Sequence, residues 1–175
     1  MPANVVRIRR GAAADAAALA AFAARTFAET FGEFNTPENL RAHLVASYGI
    51  PQQTRELVDS DAVTLLAEDS STLIGYAQVR RAPPPPCVTV SGPIQLQRFY
   101  VDRVAHGRGV AQRLMDAVRE TARGFGAQHL WLAVWERNPR AITFYGKCGF
   151  ADVGDTEFYV GPDRQIDRVL VARVG

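Results

Sequence analysis

Cysteine is scarce in this chain: Cys87 and Cys148 are the only two among 175 residues. A disulfide framework needs more, so reduced thiols and a cytoplasmic location are expected. Charge of one sign is lacking as well. The 20 basic and 18 acidic side chains leave a formal charge of +2, too little to imply nucleic-acid binding. A helix-borne DNA contact through Arg103, Arg108, Arg113 and Arg119 would be interrupted by Asp102, Asp116 and Glu120, so no nucleic-acid partner is expected. No run of about 18 strongly apolar residues exists: the Ala-rich residues 16–24 are bracketed by Asp15 and Arg25. Residues 1–10 have no apolar segment of signal-peptide length, and no membrane partner is expected. The three histidines, His43, His106 and His129, stand at no ligand-like spacing from either cysteine, so no metal site is expected.

What is present suits one domain over residues 1–175, long enough to bury about two-thirds of its unfolded surface. Val5 to Arg9 alternates as a first strand, and a helix follows from Asp15, an N-cap type, through Phe31. Thr36-Pro37-Glu38 opens a second helix to about Ser47, with a short third over residues 51–59. Two apolar strands, residues 62–68 and 73–79, flank Asp69-Ser70-Ser71 as a hairpin. Pro83 to Pro86 cannot join a sheet interior and form a stiff loop before a strand at residues 94–101. A strand at residues 129–135 follows the next helix. Asn138-Pro139 then starts a helix that Gly149 ends. Strands at residues 151–156 and 168–174 finish the chain, turning through Gly161-Pro162-Asp163.

The most informative string is His106-Gly107-Arg108-Gly109-Val110-Ala111. It falls between the strand at residues 94–101 and a helix whose Val110, Leu114, Val118 and Ala122 make one apolar stripe. Glycines at a strand-to-helix turn let backbone N–H groups converge on an anion at the positive end of a helix dipole. A Walker-type loop would need Lys and then Ser or Thr after Gly109, where Val110 and Ala111 stand. A dinucleotide fingerprint would need a third glycine where Gln112 stands. Another phosphorylated ligand is favoured, against the plainer reading that the glycines only cap a turn.

Together with the strand Leu96-Gln97-Arg98-Phe99-Tyr100-Val101-Asp102 and the segment Asn138-Pro139-Arg140-Ala141-Ile142-Thr143-Phe144-Tyr145-Gly146-Lys147-Cys148-Gly149-Phe150, this turn resembles the GCN5-related N-acetyltransferase (GNAT) family. The resemblance covers nearly the whole chain. It implies an α/β (α+β) fold: a mixed, mostly antiparallel sheet of six to seven strands flanked by about four helices, with the cofactor entering where two central strands separate. The family's turn reads Gln/Arg-x-x-Gly-x-Gly/Ala, and this chain departs at the first position, His106. By resemblance the amides of His106, Gly107, Arg108, Gly109, Val110 and Ala111 hold the pyrophosphate of acetyl-CoA, the Arg108 side chain supplementing them. Phe99 and Val101 would offer backbone groups to the pantetheine arm, and Asn138, a helix cap on its own reading, would contact CoA.

The resemblance makes Tyr145 the acid that protonates the departing CoA thiolate. A phenol of pKa near 10 is about 99.9% protonated at pH 7; away from the motif, Tyr145 reads as a core aromatic beside Phe144 and Ile142. The acceptor amine must lose a proton before attack, and Glu29, Glu33 and Glu136 are candidate bases that also read as solvated carboxylates. Cys148 is a weak rival nucleophile whose thiol Lys147 would activate. The resemblance thus implies direct acetyl transfer to a primary amine of a small molecule. Residues 26–32 and 35–40 look like the PaiA-type branch, which includes polyamine acetyltransferases. Family habit also implies a homodimer. The alternative is a non-catalytic acyl-CoA-binding module for regulation or assembly.

Overall fold

Turn chemistry and apolar alternation fix the elements of this computed structural model, which describes residues 6–175; Val5, expected to open the first strand, lies outside them. In chain order they are β1 (Arg7–Arg10), α1 (Ala16–Phe31), α2 (Pro37–Tyr48), α3 (Ile50–Val58), β2 (Ala62–Asp69), β3 (Thr72–Arg80), β4 (Pro93–Val101), α4 (Val110–Gly124), β5 (His129–Trp135), α5 (Pro139–Lys147), β6 (Ala151–Val160) and β7 (Asp163–Arg173). Thr36 caps α2 as its type predicts, its hydroxyl accepting from Asn39 N–H at 3.2 Å. Asp15 precedes α1 without capping it. Its carboxylate instead takes two bonds from Arg9, at 2.8 and 2.9 Å, and one from Ala12 N–H at 2.8 Å. The expected hairpin closes at Asp69 and Thr72, with Ser70 and Ser71 both at positive φ.

The seven strands form one sheet in the order β1-β2-β3-β4-β5-β7-β6. Every neighbouring pair is antiparallel except β4 and β5, which run parallel over Pro93–Gln95 against His129–Trp131 alone. Past that register no pairing joins them among the described residues, although β4 continues to Val101 and β5 to Trp135. A wedge therefore opens at the centre of the sheet. β4 also carries a bulge: Gln78 faces Arg98 while Val79 faces Leu96, leaving Gln97 without an opposite residue.

Packing on both faces keeps the wedge in place. On one face, the α4 stripe of Val110, Leu114, Val118 and Ala122 is fully enclosed, and Leu114 and Val118 pack with Leu96, Leu130 and Leu132. On the other, Leu19, Phe22 and Phe27 of α1 pack with Leu57, Leu66 and Tyr76. Burying such side chains contributes roughly 1.5–3 kcal/mol each. The residues flanking the polyproline stretch pack on the outer half of the sheet, where Val88 sits buried among Trp131, Val169 and Val171. Beneath α3 a buried ion pair ties the helical layer to β4: Arg98 bonds both oxygens of Glu56, which also accepts from Gln52 at 2.8 Å and Gln78 at 3.1 Å. No helix among the described residues is long and apolar enough to cross a membrane.

Candidate active site

The wedge between β4 and β5 is the throat of a cleft of about 530 Å³. On the α5 side its wall is aromatic. The ring of Tyr145 meets those of Phe144 and Phe150 at 5.6 Å and that of Phe99 at 6.1 Å. This cluster holds Tyr145 at 8% exposure, and burial, helped by the nearby Cys148, pushes its phenol well above the usual value. Among the described residues its hydroxyl has no hydrogen-bond partner, although the residue lines the cleft. A phenol so placed stays protonated across the physiological range and has its proton free for an incoming group.

At the mouth, backbone geometry prepares an anion site. Asp102 N–H donates to Ile74 O at 2.8 Å, toward β3. By strand alternation the backbone groups of Phe99 and Val101 turn the opposite way, toward the gap left by β5. His106 closes part of that gap, its Nε2–H donating to Val101 O at 2.9 Å. Gly107 and Gly109 adopt φ of +76° and +74°, the left-handed region that disfavours a Cβ. The amides of His106 and Arg108 bond back to Arg103 and Ala105. Those of Gly107, Gly109, Val110 and Ala111 have no partner among the described residues, so four donors gather at the start of α4. The Val110 side chain anchors the turn from below, at 1% exposure. The Arg108 guanidinium is bound by Asp69 at 2.7 Å.

Gly109 and Gly124 both have open space where a Cβ would sit, but only Gly109 has positive φ. Gly109→Ala should therefore lower stability by about 1–2 kcal/mol. Gly124→Ala, at the end of α4, should be neutral or stabilising by up to about 1 kcal/mol. Urea unfolding of the two variants reads the difference.

The opposite end of the cleft lies between α1, α2 and β7. His43 stacks on Phe27 at 4.6 Å and meets Phe158 edge-on at 5.6 Å; burial, with Arg98 nearby, lowers its pKa and keeps the ring neutral. Trp135 is approached by Phe31 at 5.6 Å and Phe34 at 4.8 Å. Directly across the β5–β7 ladder from Trp135 stands Asp167, 7% exposed and on the cleft wall. Its Oδ1 is buried without a partner, and no bond to either oxygen exists among the described residues. Burial, with Glu136 adding, pushes this carboxyl up to about 6. Among the described residues, no group of three or more His, Cys, Asp or Glu could hold a metal ion.

The model of the acetyltransferase (GNAT) family matches residues 22–150, most of the chain. This chain belongs to the GNAT family. An uncharacterized N-acetyltransferase of Mycobacterium tuberculosis is 32% identical over 157 residues, covering 90% of this chain and 96% of that protein. A spermine/spermidine N(1)-acetyltransferase of Bacillus subtilis is 26% identical over 87 residues, 49% of this chain and 57% of that protein. Among solved structures, the PaiA N-acetyltransferase of Thermoplasma acidophilum in complex with coenzyme A superposes with a TM-score of 0.78 at 19% identity, covering 97% and 99% of the two chains. The mixed seven-stranded sheet is thus the GNAT fold.

Within this GNAT fold, Phe99, Val101, His106, Ala111, Asn138 and Tyr145 line one cleft, whereas Gly107, Arg108, Gly109 and Val110 form the turn at its rim. Asn138 caps α5, its side chain accepting from Ala141 N–H at 3.2 Å. Of the candidate bases, Glu29 and Glu33 line the cleft and Glu136 does not. Glu29 is engaged by Arg25 at 3.1 Å. Cys148 lies outside the lining, and burial raises its thiol pKa rather than lowering it, the reverse of what its neighbour Lys147 suggested. Asp167, Trp135 and Phe158 belong to no motif, and sequence reasoning missed them.

Proposed function

We propose that this GNAT protein transfers an acetyl group directly from acetyl-CoA to a primary amine of a small molecule within a ternary complex. The observation that carries the reading is Tyr145: a buried, unpartnered and protonated phenol on the wall of a cleft whose rim holds unpaired amides. Those amides, at Gly107, Gly109, Val110 and Ala111, fit a pyrophosphate, and the unpaired edge of β4 at Phe99 fits an amide-bearing arm. His106 already occupies Val101 O, which leaves Phe99 as the freer pairing position. Acetyl-CoA supplies the activated acyl group as a thioester. The neutral amine nitrogen bonds to its carbonyl carbon, the C–S bond breaks, and Tyr145 gives its proton to the departing sulfur; the proton that the nitrogen sheds on becoming an amide restores the Tyr145 phenol through water. No acyl-enzyme is needed, in keeping with the raised thiol pKa of Cys148 and its place outside the cleft.

Thiol release with polyamines, amino acids, aminoglycosides and peptide N-termini tests catalysis and acceptor class together. Turnover with at least one amine class, retained in Cys148→Ala, is the expected result. CoA binding with no turnover of any amine would select a non-catalytic acyl-CoA-binding module instead. The likeness to a spermine/spermidine acetyltransferase and the aromatic, carboxylate-bearing far end of the cleft favour a polyamine.

A further inference from the structure

A buried carboxylate without a counter-ion is a cost that folding alone does not explain. Asp167 is such a group: 7% exposed, with Oδ1 sealed from solvent and no hydrogen bond or ion pair among the described residues. Its neighbour Arg168 offers no neutralisation, because that guanidinium is held by Asp152 at 2.7 Å and Asp155 at 3.4 Å. The other nearby charge is Glu136, of the same sign. Asp167 is paired across strands with Trp135, whose ring is met by Phe31 and Phe34, and Phe158 lines the same cleft. Desolvated carboxylate and aromatic faces share one ligand chemistry. They attract an organic cation whose charge meets the carboxylate and whose carbon chain lies along the rings.

We propose that Asp167 receives a second ammonium group of the acceptor, not the nitrogen that is acetylated, and makes the cleft selective for small aliphatic diamines and polyamines. The assignment rests on the acetyl-transfer reading for its place in the reaction, but it makes a binding claim that stands apart from turnover. Asp167 touches the acceptor, not the acyl donor, so its removal separates the two substrates kinetically.

The test compares the intact protein with Asp167→Asn and Asp167→Glu, using spermidine and 1,4-diaminobutane as acceptors that keep a second ammonium group, and n-butylamine as one that has none. Asp167→Asn is expected to raise KM for spermidine and 1,4-diaminobutane at least about tenfold while KM for n-butylamine and for acetyl-CoA stays within about twofold, with Asp167→Glu recovering part of the loss. Calorimetric titration of spermidine into the CoA-saturated protein reads binding without chemistry. Binding lost in Asp167→Asn but present in the parent supports the assignment even where no thiol is released, an outcome that would count against acetyl transfer alone. Equal spermidine affinity in parent and variant overturns it, as does a parent that binds no spermidine. A circular-dichroism melt of each variant confirms the fold.

Discussion

Tyr145→Phe is expected to lower kcat by about 10²–10⁴-fold, the range for loss of a positioned proton donor, while KM for acetyl-CoA changes less than about twofold. The prediction separates chemistry from packing because the ring contacts with Phe99, Phe144 and Phe150 survive the substitution. The hydroxyl removed has no protein partner among the described residues, so its loss leaves no donor or acceptor of the protein stranded. A stability change below about 0.5 kcal/mol should accompany it. Burial raises the phenol's pKa, so the acid form persists and activity should not fall across about pH 6 to 9 through loss of this proton. Thiol-release rates across that interval provide the measurement. Equal turnover of parent and variant throughout would remove Tyr145 from the acid role and leave it a core aromatic.

The parts of this molecule that sequence made legible are those whose causes are local. The α4 stripe and the left-handed Gly107 and Gly109 follow from spacing within a few residues, and so do the caps at Thr36 and Asn138. The end of the cleft beside the glycine turn is built from those parts, and it could be assembled from the residue order. The end that holds Asp167 could not. Asp167 falls just before the strand expected at residues 168–174, beside Arg168 and near Gln165, where nothing distinguishes it from a solvated loop residue. Its burial comes from pairing with Trp135 and from the packing of Phe31 and Phe34 on that ring, contacts between segments far apart in the chain. The Arg98–Glu56 pair was hidden for the same reason, since α3 and β4 meet only in the folded sheet. Asp15 shows the converse: a residue of capping type was drawn off its helix by Arg9, whose position depends on β1.

Asp167→Asn should also change stability, with a sign opposite to that of most buried substitutions. The folded protein raises this carboxyl from the ordinary 3.8 to about 6, so it holds the proton more tightly than the unfolded chain does. Between those values the folded state binds more protons, and stability falls as pH rises through the interval. Above it the full penalty applies, about 3 kcal/mol by linkage. Below about pH 3 both states are protonated and the penalty vanishes. The neutral amide carries no such dependence. It does bury polar atoms without partners, as the protonated acid does, so this cost largely cancels when parent and variant are compared at low pH. The stability of Asp167→Asn relative to the parent should therefore increase by up to about 3 kcal/mol between pH 3 and pH 7.5, read by urea unfolding at each pH. A pH-independent difference would mean that the parent's carboxylate is neutralised in the folded protein, and would remove the reason to look for a cation beside it. A gain confined to high pH, in a variant that has lost spermidine affinity, would show one group destabilising the free protein and binding the acceptor, the exchange of stability for function typical of binding sites.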